Sequence, residues 1–209
     1  MLVREWMTPT PRTVTADTPV MDAMQRLRDG GYRRLPVVRD GRLIGIVTDR
    51  DLKEATPSKA TTLSVYELNY LLSKLQVKDV MRTPVITVRS DDPIEQAALL
   101  MEEHRVSGLP VLEDGTLVGI LTITDLMRAL VSFLALREGG VRVTVDLPDE
   151  PGVLARVAQA GAPSNIVAAV TTGIKQGQRR RMVLRVNGEG QDDFPERLKS
   201  VGVEVTDVR

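Results

Sequence analysis

Hydrophobic and polar positions follow the same order twice in the N-terminal part of the chain. Val3–Leu52 aligns with Val77–Leu126 without a gap. Each copy opens with a short β-type run and continues with apolar residues at helical spacing. Two β-rich runs then flank an Asp-Gly pair, at Asp40-Gly41 and Asp114-Gly115, which is a strong hairpin signal. With a second helix predicted at the end of each copy, the pattern predicts a β-α-β-β-α unit that is used twice.

The same pattern sets the expected boundaries of the two units. We expect a first unit over residues 1–58, a linker with a helix over 59–76, and a second unit over 77–136. The first helix of each unit is predicted to start at Asp17-Thr18-Pro19 or Asp91-Asp92-Pro93, with an acidic residue or Thr as the cap. A unit of about fifty residues exposes much apolar surface when it is alone. The two units are therefore expected to pack as a pair.

The pattern of hydrophobic and polar residues changes after the second unit. A helix is predicted from Asp125 to Gly139-Gly140, and its apolar residues lie nearly all round, so we expect it to be buried between elements or subunits. The strands expected beyond it are Val141–Leu147, Asn165–Thr172, Met182–Val186 and Val203–Val208, and the helices are Pro151–Ala160 and Phe194–Val201. The order β-α-β-β-α-β over residues 140–209 is the ferredoxin-like split arrangement.

Composition removes several classes of function. Basic and acidic residues balance at 28 each, which argues against a sequence-independent nucleic-acid binder. The chain has no cysteine and one histidine, His104, so no metal site, thiol nucleophile or Ser-His-Asp triad is predicted, and we expect no enzyme. Arg179-Arg180-Arg181 is interpreted as a solvated hairpin edge. No membrane partner is predicted because no stretch approaches the ~20 apolar residues of a membrane helix, and without a signal peptide we expect a cytoplasmic protein.

Motifs that occur in both copies resemble a known module. They are the Met near the start (Met7 and Met81), Leu-Pro-Val, Asp-Gly, and Gly-φ-φ-Thr-x-x-Asp-Leu, where φ is apolar. As a set they resemble a tandem pair of CBS domains, also called a Bateman module. Glu150-Pro151-Gly152, followed by Ser164-Asn165, resembles an ACT domain. The combination resembles the bacterial acetoin-utilisation accessory (AcuB-like) proteins. It implies an α/β (α+β) fold with two β-α-β-β-α CBS units packed as a pair and a ferredoxin-like ACT domain.

The repeated Thr and Asp are the first candidates for binding. A carboxylate accepts two donors at once, and the 2′- and 3′-hydroxyls of a ribose are two adjacent donors. The resemblance implies this ribose-binding role for Asp51 and Asp125, helped by Thr48 and Thr122. The alternative interpretation is that each Thr-x-x-Asp only caps a helix. Both interpretations hold together if the cap and the ligand use different oxygens.

Arginines near the first junction are the candidates for phosphate binding, because Arg forks fit phosphate oxygens. Arg33 and Arg34 precede Leu-Pro-Val, where the resemblance implies phosphate contacts, and Arg50 lies inside the junction. Otherwise these arginines form a solvated edge. The second copy has Ser107-Gly108 and Ile123-Thr124 at the corresponding places, so we expect two unequal sites.

An adenine ring needs an apolar slot, for which Ile86, Val106 and Ile120 are the candidates, with Ile46 and Tyr32 in the other copy, unless they are plain core residues. How the copies pack decides which opening strand lies beside which Asp, and the sequence leaves this open. The resemblance implies AMP, ADP, ATP or S-adenosylmethionine as the ligand and no catalytic cofactor. In the ACT domain it nominates Asp149 and Asn165 for an amino-acid effector, unless these residues only shape turns.

Our main hypothesis from the sequence is a non-catalytic cytoplasmic sensor. It would bind an adenine nucleotide or adenosyl ligand in the cleft of the CBS pair, with amino-acid sensing by the ACT domain as a companion. We expect a homodimer that acts on an unknown partner enzyme. The alternative hypothesis is a structural module that dimerises and holds a partner enzyme without a ligand.

Overall fold

The computed structural model describes residues 1–55, 70, 74–176 and 179–209. Most of the predicted linker and helix over 59–76 therefore lies outside the described residues. The chain divides into two compact units, Met1–Leu126 and Met127–Arg209.

The first unit contains both copies of the repeat. Its strands are β1 (Thr8–Pro9), β2 (Arg34–Arg39), β3 (Arg42–Thr48), β4 (Val88–Arg89), β5 (Gly108–Glu113) and β6 (Thr116–Thr122). Its helices are α1 (Val20–Gly30), α2 (Asp49–Glu54), α3 (Ile94–Glu103) and the start of α4 (Ile123–Phe133). Short 3-10 helices open the two copies at Val3–Glu5 and Val77–Asp79. The sheet has the order β2-β3-β6-β5-β4, with β1 also paired to β6.

Both predicted hairpins are confirmed. Asp40 and Gly41 have φ angles of 50° and 76°, and Asp114 and Gly115 have φ angles of 48° and 80°. Two successive residues with positive φ form a type I′ turn, whose twist matches that of the flanking strands. The Asp-Gly pair therefore determines the antiparallel pairing of β2 with β3 and of β5 with β6.

The predicted caps of the first helices were wrong, although the helices are where we expected them. Prolines 19 and 93 themselves occupy the N-cap positions of α1 and α3. The hydroxyl of Thr18 accepts the amide of Thr15 at 3.1 Å, and the carboxylate of Asp92 accepts the amide of Arg89 at 2.8 Å. These side chains close the turn before the helix, because a short polar side chain satisfies an amide three residues earlier in the chain.

The two copies exchange their opening segments. The amide of Val3 donates to the carbonyl of Asp92, and the amide of Val77 donates to the carbonyl of Thr18, both at 2.9 Å. Strand β1 then pairs with β6 of the other copy, and Arg82 bridges to Ile46 in β3. The opening segment of each copy therefore lies beside the junction of the other copy, which answers the question that the sequence left open.

This exchange explains two of the repeated residues. A Cβ atom on Gly45 would lie 2.6 Å from the sulfur of Met81, and one on Gly119 would lie 2.3 Å from the sulfur of Met7. The methionine that opens one copy packs directly on the junction glycine of the other. Met and Gly recur together because the glycine, which has no Cβ, leaves room for the methionine side chain.

The second unit has the predicted β-α-β-β-α-β order. Its elements are β7 (Val141–Pro148), α5 (Val153–Gly161), β8 (Asn165–Gln176), β9 (Arg179–Asn187), α6 (Phe194–Ser200) and β10 (Glu204–Val208). The sheet has the order β10-β7-β9-β8, and all of its pairings are antiparallel. Its core contains Val143, Val145, Leu147, Val157, Met182, Leu184, Val186, Phe194 and Leu198.

Helix α4 is shorter than predicted. It ends at Phe133, and the chain turns through Ala135, whose φ is 48°, before it reaches the glycines at 139 and 140. Met127 is 53% exposed and Phe133 is 59% exposed. The prediction that other elements of the same chain bury this helix on all sides was therefore wrong. Its burial between subunits stays a prediction.

Candidate functional site

Both repeated Asp residues lie in the first turn of a helix and bind the Thr that precedes that helix. The Oδ2 atom of Asp51 accepts the amide of Thr48 at 2.9 Å and its hydroxyl at 2.5 Å. The Oδ2 atom of Asp125 accepts the amide of Thr122 at 2.8 Å and its hydroxyl at 2.6 Å. The capping interpretation is right at both junctions. Because the caps use Oδ2, a ligand has to approach the other oxygen of either carboxylate.

Arg82 binds that other oxygen of Asp51. Its Nε and one terminal nitrogen both lie 2.6 Å from Oδ1. Burial is the largest single influence and raises the pKa of Asp51, but the hydrogen bonds from Arg82 and Thr48 together outweigh it and lower the pKa. Asp51 is therefore ionised at neutral pH. Arg82 was not among the residues predicted from the sequence. One signal for it was present: Arg82 follows the repeated Met81, at the position where the first copy has the uncharged Thr8 after Met7.

A cleft of about 500 Å³ opens beside the first junction. Its lining comes from both copies: Arg33, Arg34, Ile46, Thr48, Asp49, Arg50, Arg82, Pro84, Val85, Ile86, Arg105, Val106, Ser107 and Gly108. The structure thus brings together the three predicted phosphate-binding arginines, Thr48, and the predicted adenine-pocket residues Ile86 and Val106. Thr48 and Arg82, which both bind Asp51, line this cleft.

Arg34 joins the two copies within the cleft. It donates to the carbonyl of Gly108 at 3.0 Å and to the hydroxyl of Ser107 at 2.5 Å. Burial, and then the neighbouring charge of Arg33, lower the pKa of Arg34. A Cβ atom on Gly108 would lie 2.7 Å from a terminal nitrogen of Arg34. These two pairs of corresponding positions face each other, and the space between them holds one guanidinium. The second copy therefore has Ser107-Gly108 where the first copy has Arg33-Arg34.

The remaining arginines make the cleft positively charged. The side chain of Arg50 is 80% exposed and binds Glu54 at 2.6 Å. The carboxylate of Asp49 binds Lys53 at 2.5 Å. Arg33 and Arg105 are exposed on the lining. The cleft therefore combines several guanidinium groups with the apolar side chains of Ile46, Ile86 and Val106, which suits an anion attached to an apolar ring.

The second junction does not share this cleft. Ile120 pairs with Thr8 of β1, so the three predicted adenine-pocket residues divide between the two junctions. Ile46, which corresponds to Ile120 in the other copy, lines the first cleft instead. A second cavity of about 830 Å³ is lined by Thr10, Pro11, Arg12, Thr13, Arg26, Asp29, Gly30 and Tyr32. All of these lining residues belong to the first copy, and none of them is a residue of the second junction. The expectation of two unequal sites therefore stays a prediction.

The two candidate effector residues of the second unit lie far apart within one chain. Asp149 follows the end of β7, where Pro148 pairs with Arg179, and it accepts hydrogen bonds from Arg180 at 3.1 and 3.2 Å. Asn165 begins β8 at the other end of the sheet, where it pairs with Asn187. The structure does not bring these two residues together in one chain.

The three consecutive arginines of β9 are paired with acidic residues. Arg181 forms two hydrogen bonds of 2.9 Å with Asp146, which lower the pKa of that carboxyl, although burial acts against them. Arg179 binds Glu204 at 3.0 Å and Arg180 binds Asp149. This cluster is therefore a set of ion pairs across the sheet rather than an open basic patch.

The part of the chain that the structure describes has neither a metal-binding cluster nor a membrane-spanning helix. Residues 1–55, 70, 74–176 and 179–209 contain no group of three or more His, Cys, Asp or Glu side chains placed to hold a metal ion. No helix in this part of the chain is long and apolar enough to cross a membrane.

Family models match both units. The model of the CBS domain matches residues 3–58 and 77–132. The model of the TTHA0829-like ACT domain matches residues 139–209. Both matches agree with the resemblance found in the sequence.

Curated relatives match the CBS part. A CBS domain-containing protein of Dictyostelium discoideum is 36% identical over 136 residues, which are 64% of this chain and 94% of that protein. The L-aspartate semialdehyde sulfurtransferase of Methanocaldococcus jannaschii is 29% identical over 129 residues, which are 61% of this chain but 23% of the enzyme. Most of that enzyme therefore has no counterpart in the match.

Solved structures of CBS pairs are also similar. A putative acetoin utilization protein (AcuB) from Vibrio cholerae is 29% identical with a TM-score of 0.55, covering 66% of this chain and 96% of that one. CBSX2, solved in complex with AMP, is 35% identical with a TM-score of 0.52, covering 63% and 96%. The CBS pair of protein MJ0100, solved with 5′-methylthioadenosine and S-adenosyl-L-methionine, is 28% identical with a TM-score of 0.53, covering 63% and 97%.

Proposed function

We propose that this protein is a non-catalytic regulatory protein that binds an adenine nucleotide or adenosyl ligand. The chain belongs to the CBS-domain family and carries an ACT domain after its CBS pair. The observation that carries this proposal is the first cleft, where guanidinium groups, a ribose-binding candidate and apolar side chains from both copies meet. Similar CBS pairs have been solved with AMP and with adenosyl ligands, which supports the ligand class.

Each part of such a ligand has a candidate partner on the lining of this cleft or, in the case of Asp51, bound to the lining residues Thr48 and Arg82. Ile86 and Val106 lie on the lining, where they would contact the adenine ring. Asp51, with Thr48, would accept the ribose hydroxyls. The guanidinium groups of Arg33, Arg34 and Arg50 would bind the phosphates, with Arg34 giving up its bond to Ser107 to do so. At the second junction, Thr122 and Asp125 are the ribose candidates, with Ile120 beside them.

Calorimetry on ligand-stripped protein tests this proposal. The ligands are AMP, ADP, ATP, S-adenosylmethionine and NAD(H). The double variant Arg33→Ala with Arg50→Ala removes two exposed cations of the lining without opening the core, and it should weaken AMP binding by roughly tenfold, the loss expected for one or two charge-assisted contacts. Arg39→Ala, which removes an exposed arginine at the far end of β2, is the matched control and should leave binding unchanged.

The results separate this proposal from the alternative. If wild-type protein binds none of the five ligands, the proposal is wrong and a structural module is favoured. In that case, Asp51→Ala combined with Asp125→Ala should leave pull-down of the partner enzyme unchanged. Comparing Asp51→Ala and Asp125→Ala singly shows whether one junction or both are occupied.

Amino-acid sensing by the ACT domain is a finer part of the proposal. Since Asp149 and Asn165 lie at opposite ends of the sheet in one chain, a shared site for them requires a second chain. A homodimer, a partner enzyme and a cytoplasmic location likewise stay predictions. A thermal-shift screen with the twenty amino acids tests the sensing, and uniformly unchanged melting temperatures would argue against it.

A further inference from the structure

The carboxylate of Asp51 already has a full set of hydrogen-bond donors. Oδ2 accepts the amide and the hydroxyl of Thr48, and Oδ1 accepts two nitrogens of Arg82 at 2.6 Å each. A carboxylate offers about four lone-pair positions. Two ribose hydroxyls can therefore bind Asp51 only if an existing donor leaves.

Arg82 is the donor that can leave. Thr48 donates partly through its backbone, so its departure would break the cap of α2. The side chain of Arg82 is 64% exposed, whereas that of Asp51 is 6% exposed. The guanidinium can turn into the water of the cleft that it already lines, while the carboxylate stays where it is. A ribose therefore replaces Arg82 rather than Thr48.

This exchange has different consequences for different ligands. An uncharged nucleoside replaces a cation with two neutral donors, so an ion pair is lost and nothing replaces it. A nucleotide brings a phosphate into the same cleft, where the displaced Arg82 finds a new anionic partner. Charge-assisted hydrogen bonds are roughly twice as strong as neutral ones, so the exchange favours the nucleotide.

We infer that Arg82 is a specificity-determining residue of the first cleft. Its guanidinium leaves Asp51 to the ribose and binds the ligand phosphate instead. The first cleft therefore selects phosphorylated adenine nucleotides over uncharged adenosine-type ligands. This inference rests on the proposed function. The corresponding position of the first copy is Thr8, which carries no charge. The selection is therefore a property of the first cleft.

Calorimetry with AMP and adenosine on the full chain tests the inference. Wild-type protein should bind AMP at least about tenfold more tightly than adenosine. Arg82→Ala leaves Asp51 open to the ribose, so adenosine should bind about tenfold more tightly than before while AMP changes little. Arg89→Ala is the matched control, because Arg89 also pairs with an aspartate, Asp91 at 2.9 Å, but does not line the cleft; its preference should match that of wild type.

Arg82→Gln repeats the test should Arg82→Ala fail to fold. It keeps an N–H donor beside Asp51 and removes the charge, and the preference for AMP should fall in the same direction. If either folded variant keeps the wild-type ratio of the AMP and adenosine affinities, Arg82 has only a structural role. The inference is then overturned while the proposed function stands. If no protein binds either AMP or adenosine, this inference is overturned, whereas the proposed function fails only if ADP, ATP, S-adenosylmethionine and NAD(H) do not bind either.

Discussion

Replacing Gly108 with Ala should destabilise the CBS pair through Arg34. Gly108 is buried in β5, and its added Cβ would lie 2.7 Å from one nitrogen and 2.8 Å from the central carbon of the Arg34 guanidinium. No real Cβ contact is this short, so Arg34 has to move. It then loses its hydrogen bonds to the carbonyl of Gly108 and the hydroxyl of Ser107.

The size of the effect follows from these two bonds. A hydrogen bond to a charged group contributes about 1.5–3 kcal/mol when it is buried. The bond to Ser107 is exposed and contributes less, so the expected total loss is about 2 kcal/mol. For a chain of 209 residues, this corresponds to a fall in melting temperature of roughly 4–8 °C.

A double-mutant cycle isolates the contact between Arg34 and Gly108. Urea unfolding is measured for wild type, Arg34→Ala, Gly108→Ala and the double variant. Without the guanidinium, Ala at position 108 meets no clash, and Ala is favoured over Gly inside a strand by roughly 0.5–1 kcal/mol. Gly108→Ala should therefore be destabilising alone and neutral or stabilising in the Arg34→Ala background. An equal cost in both backgrounds would refute the reasoning.

Two further predictions concern the junctions. Gly119→Ala places a Cβ 2.3 Å from the sulfur of Met7, so it should lower the unfolding free energy by about 1 kcal/mol, and Met7→Ala should relieve this in the double variant; an additive cost in urea unfolding would count against the contact. The lowered pKa of Asp51 means that its ionised form stabilises the fold above the ordinary pKa of 3.8 and that this contribution is lost as the pH falls through the lower, folded-state value. In acid titrations of unfolding free energy, Asp51→Asn should therefore start less stable and lose less stability than wild type below about pH 4, and identical slopes would contradict the assigned pairing.

Features that depend on neighbouring residues were predictable from the sequence. The hairpins follow from Asp-Gly, since few other pairs place two successive residues at positive φ. The alternating strands and the apolar helix faces of the second unit are local in the same sense. The end of α4 was not predictable, because its turn uses Ala135 in a left-handed conformation that alanine seldom adopts.

The candidate site was only half predictable, because it is built from both copies. Thr48, Asp51 and the nearby arginines belong to recognisable motifs within one copy. Arg82 and Ile86 reach the same cleft only through the exchange of opening segments, and the pattern within one copy carries no information about that exchange. Once Ile46 is known to bridge to Arg82, the site of the first junction follows from simple adjacency.

Two of the differences between the copies have different physical causes. Arg34 and Gly108 are corresponding positions that face each other, so an arginine in both copies would bring two guanidinium groups into one place. Asymmetry there is required by sterics and by like-charge repulsion. Arg82 and Thr8 are corresponding positions that lie beside different junctions, so packing between the copies does not prevent an arginine at both. The charge at position 82 therefore has to be explained by the first junction itself, where it balances the buried carboxylate of Asp51.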